Sequence, residues 1–221
     1  MDASIKKETL DFLKQLAKNN NREWFNNNKD LYQKSLDNIQ AFLNGLLTKI
    51  VVFDKSVAGI EPKDCLFRIY RDTRFSKDKT PYKSLFGAWI SDNDKAGKAG
   101  YYLHIEPGKS FLAGGVYHPE AGRLKNVREE ISFEADKFKK IINNKTFKEN
   151  FGAISGDRLV TSPKGFAKDD PMMDYLKFKD MVVVHNINDK VLISKDYPAY
   201  CIKIFKSMVP FNDFLNKPLS L

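Results

Sequence analysis

Apolar residues recur at helical spacing over the first fifty positions of the chain and at every second position in the stretches that follow. The helical spacing predicts a helix over 4–18 and a second, longer helix that ends near Ile50, with Asn20 as its N-cap. These two helices would form a hairpin-like pair. Because helices come first and strands cluster after them, the sequence favours an α+β fold with a largely antiparallel sheet and further helices packed on it.

The stretch after the second helix alternates between apolar and polar residues, which indicates an extended segment. Phe67, Ile69 and Phe75 are expected on one face of this segment. The other face would carry Arg68, Tyr70, Asp72 and Arg74. A polar turn at 76–80 leads to a second strand over 85–90.

Residues 100–118 show the clearest hairpin pattern, with two alternating runs on either side of a Pro-Gly-Lys-Ser turn. One face carries Tyr102, His104 and Glu106, in a register that places His104 opposite Ala113. The other face is expected to meet the core and carries Leu103, Ile105, Leu112 and Val116.

The rest of the chain predicts strands over 157–166 and 181–187 and a final amphipathic helix from about 197 to 208. Pro210 is expected to end or kink that helix. The apolar residues beyond it would then form an exposed tail that docks on a partner, namely Phe211, Phe214 and Leu215. Since no repeat and no long flexible linker interrupts the chain, we expect one compact domain over 1–221.

Composition limits the classes of function. The 221 residues contain two cysteines, Cys65 and Cys201, both inside apolar stretches without metal-ligand spacing, so we expect buried thiols, no metal site and no cofactor. The sequence has no secretory signal core and no apolar run near the ~20 residues of a membrane span. These features predict a cytoplasmic protein without a membrane partner. The net charge of +9 permits an anionic small molecule or a nucleic acid as partner, and a protein partner stays open.

A basic run over 68–83 is the most unusual stretch, with three Arg, three Lys and two Asp, a net +4 over 16 residues. Arginine binds carboxylate or phosphate through two parallel hydrogen bonds, which suits an anion site. In the alternative interpretation, Asp72 and Asp78 pair with these cations and only fix a turn. The candidate ligand-binding residues are Arg68, Arg71, Arg74, Lys77, Lys79, Tyr82 and Lys83.

Four strings carry a resemblance to a known family: RIYRDTRFSKDKTPYK at 68–83, NNREWF at 20–25, GYYLHIEPG at 100–108 and GGVY at 114–117. With them, nearly the whole chain resembles the domain of unknown function 2461 family. The resemblance implies one domain and an activity that is not established, and it supplies no catalytic residues. It also implies that polar residues inside these strings are better candidates than the scattered lysines.

His104 and Glu106 lie two residues apart on a predicted strand and therefore point to the same side. A histidine beside a carboxylate is a usable general acid–base pair, to which Asp72 could be added. The alternative is a histidine whose hydrogen bonds are satisfied within the sheet. His118 and His185 share no ligand spacing with His104, which argues against a zinc site.

Three hypotheses follow. The first is a module that binds an anionic, phosphate-bearing ligand, such as a nucleotide or nucleic acid, through the basic run. The second is an enzyme on a phosphorylated or carboxylate substrate, with His104, Glu106 and Asp72 moving protons, and it requires the basic run and the hairpin to converge. The third is a protein-interaction module whose ion pairs are structural.

Overall fold

The structure, a computed structural model, describes residues 4–91 and 97–219 and confirms the α+β class. The helices in these residues are α1 (Lys7–Lys18), α2 (Arg22–Asn27), α3 (Lys29–Ile50), α4 (Pro62–Cys65), α5 (Ala121–Phe133), α6 (Ala135–Ile142), α7 (Lys145–Phe151), α8 (Met173–Leu176), α9 (Asp189–Leu192) and α10 (Tyr197–Asn216). The strands are β1 (Phe86–Ile90), β2 (Gly100–Ile105), β3 (Ser110–Val116) and β4 (Met181–Ile187).

The four strands form one antiparallel sheet in the order β1-β2-β3-β4, so each strand pairs with its neighbours in sequence. Alternation gives the sheet two different faces. The predicted core face of the β2-β3 hairpin is confirmed, since its residues are at most 1% exposed: Leu103, Ile105, Leu112 and Val116. The residues that alternate with them on β2, Tyr102 and His104, are only half-buried. This difference leaves one sheet face available for chemistry.

The N-terminal helical pair forms because α1 and α3 pack their apolar faces together. Their contacting faces are fully buried and include Leu13, Leu16, Ile39 and Leu43. The predicted second helix is divided at Asn28, whose side chain donates to the Trp24 carbonyl and ends α2. The N-cap of α2 is Asn21, whose Oδ1 accepts the Trp24 N–H at 2.9 Å, so the prediction of Asn20 was wrong by one residue.

A two-stranded ribbon pairs the segment after α4 with the segment that leads into β1. It is held by isolated bridges between Leu66 and Ala88, which lies in β1, and between Tyr70 and Tyr82. Between the two bridges, the chain covers four positions on the first side of the ribbon (66 to 70) and six positions on the second side (82 to 88). The second side therefore contains a bulge of two extra residues.

The predicted common face was wrong. Ile69 is buried but Phe67 is 50% exposed, because the first side bends at Ile69 and is not a continuous strand there. Phe75 lies in the turn and is 96% exposed.

Two further predictions were wrong. The segment 157–166 is not a strand, because only isolated bridges such as Arg158 with Phe178 occur near it. Helix α10 continues through Pro210 to Asn216. The residues after the proline are at most 2% exposed, namely Phe211, Phe214 and Leu215. Burying each of them gains ~1.5–3 kcal/mol, which together outweighs the ~3 kcal/mol that an internal proline costs a helix.

The chain divides into two compact units. The first takes its described residues from Met1–Ile90, Tyr102–Leu112 and Asn186–Lys203, and the second from Ser91–Tyr101, Ala113–His185 and Ile204–Leu221. Each unit therefore draws on three separate segments, and one domain over 1–221 stays a prediction. None of the helices in the described residues combines the length and the apolar character that crossing a membrane requires.

Candidate functional site

A hydrogen-bonded series of three side chains runs along β2 on the half-buried face of the sheet. The Tyr102 hydroxyl lies 3.1 Å from His104 Nδ1, and His104 Nε2 lies 2.9 Å from Glu106 Oε2. The three residues share one side because strand residues two apart point the same way. The sequence predicted the pair of His104 and Glu106, and the structure adds Tyr102 as its third member.

The His104 ring is held by a stacked ring on one face and by hydrogen bonds at both nitrogens. Its ring stacks on that of Phe111, with centroids 4.4 Å apart and planes inclined by 13°. His104 therefore lies across the hairpin from Phe111 and not from Ala113, a shift of two residues that leaves the predicted face unchanged. Its side chain is only 11% exposed, so packing fixes the imidazole against the strand.

Glu106 lies just beyond the end of β2, where Ser110 fixes its backbone. The Ser110 hydroxyl donates to the Glu106 carbonyl at 2.8 Å and accepts the Glu106 N–H at 3.1 Å. Lys109 adds a cation 3.6 Å from Oε1 of the same carboxylate. With its main chain held twice, Glu106 presents its carboxylate to His104 in a defined position.

The chemistry of Glu106, at one end of the series, determines which atoms donate and which accept the two hydrogen bonds. An ionised carboxylate only accepts hydrogen bonds, so His104 Nε2 carries a proton and donates it to Glu106. In a neutral imidazole the other nitrogen, Nδ1, then accepts, and the Tyr102 hydroxyl donates to it. If Tyr102 gives up its proton, His104 receives it and Glu106 stabilises the imidazolium. A base oriented by a third group beside an acidic hydroxyl is an arrangement that activates the hydroxyl.

Gly87 on β1 makes room for this group. A Cβ at position 87 would lie 2.7 Å from the Tyr102 hydroxyl and 3.1 Å from the Phe67 ring. The first distance is too short for a carbon–oxygen contact and the second is tight, so a larger residue would require the Tyr102 hydroxyl to move and the Phe67 ring to yield slightly. Sequence reasoning missed Gly87, Phe67 and Phe111. The available signal was a glycine inside the strand pattern FGAWI, which often marks a close approach of another group.

Lys83 connects the basic run to this face of the sheet. Its ammonium lies 5.5 Å from the centroid of the Phe67 ring, within the range of a cation–π contact. The same ring lies 6.1 Å from the ring of Tyr102. Burial lowers the pKa of Lys83, and the nearby charge of Arg68 lowers it further. Arg68 itself is exposed.

The central cations of the basic run serve the turn that joins the two sides of the ribbon. Arg71 binds the Asp78 carboxylate and the hydroxyl of Thr80. Arg74 grips Asp72 through Nε at 3.0 Å and Nη2 at 2.7 Å. These pairs fit the alternative interpretation in which aspartates fix a turn. They also occupy Asp72, whose described hydrogen bonds go to Arg74 and not to His104 or Glu106.

The remaining candidates occupy three different environments. Tyr82 is 4% exposed and stacks on Phe25 with centroids 4.0 Å apart, which places its ring in the core of the first unit. Burial raises its pKa. Lys79 donates to the Thr73 carbonyl at 2.9 Å. Lys77 is exposed to solvent.

Acidic, histidine and cysteine side chains are dispersed. Within 4–91 and 97–219, no three or more of them come close enough to hold a metal ion. Cys65 and Cys201 are free thiols and both are buried, as the sequence predicted.

Comparison with known proteins gives one match. The profile of a family described as "Conserved hypothetical protein (DUF2461)" matches residues 8–214. No curated protein and no solved structure matches the chain. The match covers the ribbon, the hairpin and the whole hydrogen-bonded series.

Proposed function

The chain belongs to the DUF2461 family of conserved hypothetical proteins, and we propose that it binds the anionic group of a small ligand, a phosphate or a carboxylate. In this proposal the binding cations are Lys83, which reaches Tyr102 through the Phe67 ring, and Arg68, whose charge acts on Lys83. One observation carries the proposal: the Phe67 ring contacts both the Lys83 ammonium, at 5.5 Å, and the Tyr102 ring, at 6.1 Å. The basic run and the hairpin thus converge in the first unit, as a shared site requires.

The electrostatics of the two cations favour an anion between them. The pKa of Lys83 is lowered first by burial and then by the charge of Arg68, so two like charges lie near each other. The charge of Arg68 also acts on the carboxylate of Asp72, which Arg74 already holds through two hydrogen bonds. A bound phosphate or carboxylate would neutralise the repulsion and would form the charge-assisted hydrogen bonds that arginine and lysine favour.

The aromatic surface beside the cations suits a ligand with a planar or apolar portion. Phe67 is 50% exposed and Tyr102 is half-buried, so both rings offer area next to the charged groups. Ligand sites commonly combine such surface with a few polar groups that set orientation. A nucleotide or an aromatic carboxylate combines both features.

Calorimetric titration with inorganic phosphate, pyrophosphate and adenosine monophosphate tests the proposal. Hydrogen bonds to charged groups contribute ~1.5–3 kcal/mol, so Lys83→Ala and Arg68→Ala should each weaken binding by about tenfold or more. Lys77→Ala is the matched control, because Lys77 belongs to the same run, is exposed and lies in the turn. Equal affinities of Lys83→Ala and Lys77→Ala would refute the site.

A second candidate function is proton transfer on the bound ligand. It is favoured by the series of Tyr102, His104 and Glu106, with contacts of 3.1 and 2.9 Å. In this function Tyr102 donates or accepts the proton, His104 carries it and Glu106 stabilises the charged imidazole. Asp72 stays outside the series.

Turnover of a set of phosphate esters and aromatic carboxylates tests the second candidate. Any activity should be lost in Tyr102→Phe and in His104→Gln, while both variants still bind inorganic phosphate through Arg68 and Lys83. If an activity survives both changes, the series does not carry it. Binding lost together with activity would instead assign Tyr102 and His104 to ligand recognition.

A further inference from the structure

The turn at the end of the ribbon displays a phenylalanine to solvent. Phe75 is 96% exposed, so its ring gains almost nothing from burial within this chain. The contact described for the ring is with the Arg74 guanidinium, 5.8 Å from the ring centroid. An exposed phenylalanine is costly to hydrate, and its presence here needs an account other than core packing.

The turn is held in one conformation although it contributes little to the core. Asp78 Oδ1 accepts the Thr80 N–H at 2.9 Å, and Arg71 binds both of these residues. Lys79 crosses the turn to the Thr73 carbonyl at 2.9 Å. A loop that is already ordered loses less conformational entropy when it binds a partner. The turn therefore presents Phe75 in a preorganised way.

The charges around Phe75 indicate the kind of partner. Residues 71–80 contain four cations and two carboxylates, a net +2. Both carboxylates are paired with arginines, Asp72 with Arg74 and Asp78 with Arg71, so the net positive charge comes from Lys77 and Lys79. Lys77 is exposed and lies two residues after Phe75 in the sequence. An aromatic ring among cations is complementary to a polyanion that also offers flat apolar surfaces.

We propose that the turn 72–80 binds single-stranded nucleic acid, with Phe75 stacked on a base and with Lys77 and Lys79 against neighbouring phosphates. Every base has a flat face, so stacking on one aromatic ring tolerates any sequence, and the cations follow the backbone. The inference does not rest on the anion site of Arg68 and Lys83, because different side chains form the two surfaces.

Fluorescence anisotropy with a labelled oligothymidine of about 16 nucleotides tests the proposal. Affinity should fall steeply between about 50 and about 200 mM salt, because bound cations displace counterions from the strand. Phe75→Ala should weaken binding roughly tenfold, as the loss of one stacked base does. Phe75→Trp should bind at least as tightly as the unchanged chain. Lys77→Ala should reduce the salt dependence by about one phosphate contact.

The matched control is Phe133→Ala, since Phe133 is another phenylalanine with 85% exposure and lies in the second unit. It should bind the oligonucleotide like the unchanged chain. If Phe75→Ala binds equally well, or if no binding occurs at about 50 mM salt, the proposal is wrong.

Two further experiments distinguish nucleic-acid binding by the turn from membrane binding and from the anion site of Arg68 and Lys83. Vesicles that contain phosphatidylserine test a membrane surface: binding to vesicles that Phe75→Leu preserves, without binding to the oligonucleotide, would overturn the proposal. Phosphate binding tests the anion site independently, because Phe75→Ala should leave it intact whereas Lys83→Ala should not. Failure of one proposal is thus distinguishable from failure of the other.

Discussion

The side-chain amide of Asn20 forms two hydrogen bonds with the backbone of Tyr82, one through each of its polar atoms. Asn20 Nδ2 donates to the Tyr82 carbonyl at 2.9 Å, and Asn20 Oδ1 accepts the Tyr82 N–H at 3.1 Å. These are the two bonds that a neighbouring strand would form. A single residue before α2 thus fixes the second side of the ribbon, 62 positions away.

Asn20→Ala should lower the free energy of unfolding by about 1–3 kcal/mol. The change leaves the N–H and the carbonyl of Tyr82 unpaired next to the buried ring of that residue. Urea denaturation measures it, with Asn26→Ala as the control, because Asn26 is exposed and lies within α2. Equal stabilities of the two variants would show that water replaces both bonds without cost.

The turn should give the protein a stability that depends on pH below 4. Hydrogen bonds from the Thr80 backbone and from Arg71 lower the pKa of Asp78 from 3.8 to about 2. Because the folded pKa is the lower one, the stabilisation is complete above pH 3.8 and is lost as pH falls towards 2. Melting temperatures of the unchanged chain and of Asp78→Asn should therefore differ at pH 6 and converge near pH 2. A constant difference would exclude Asp78 as the titrating group.

Gly115→Ala should be far more harmful than Gly108→Ala. Both glycines have positive φ, 109° and 75°, which costs another residue ~1–2 kcal/mol. A Cβ at 115 would also lie 2.1 Å from the Met181 carbonyl oxygen, whereas nothing lies within 4 Å of one at 108. Chemical denaturation should show a loss near that conformational cost for Gly108→Ala and several times more, or no folding, for Gly115→Ala. Similar losses would mean that β4 yields to the methyl group.

Both thiols should resist alkylation in the folded protein. Cys65 and Cys201 are at most 2% exposed, and burial raises the pKa of Cys65 to about 11 and that of Cys201 well above its ordinary value. The thiolate is the reactive form, so iodoacetamide at pH 8 should modify neither residue until urea unfolds the chain, when both should react. Mass spectrometry counts the adducts. Rapid modification of either cysteine without denaturant would contradict the described burial.

Periodicity was sufficient to predict the parts of the fold in which one element packs against another over several turns or pairs. The helices α1 and α3 and the core face of Leu103 and Leu112 belong to this group. Periodicity failed where other interactions outweigh the alternation of apolar and polar residues. The first side of the ribbon bends at Ile69 and leaves Phe67 exposed, and the burial of Phe211 and its neighbours carries α10 through Pro210.

The candidate site was predicted in part. His104 and Glu106 were identified because residues two apart on a strand share a face, and this rule needs no tertiary information. The division of the basic run could not be predicted in the same way. The way in which the turn folds back decides which arginine binds Asp78 and which cation lies beside Phe67. The amino-acid composition of the run does not contain this information.

The last turn of α10 also determines when the second unit can finish folding during synthesis. Asn216 binds Ala99 through both polar atoms, at 2.8 and 3.1 Å, and Asn212 donates to the Gly100 carbonyl at 3.0 Å. Their sequence separations, 117 and 112 residues, mean that the start of β2 leaves the ribosome long before its partners are synthesised. Until α10 is synthesised, the backbone groups of Ala99 and Gly100 are bound by water or covered by a chaperone. Slow translation would therefore prolong the exposure of this segment.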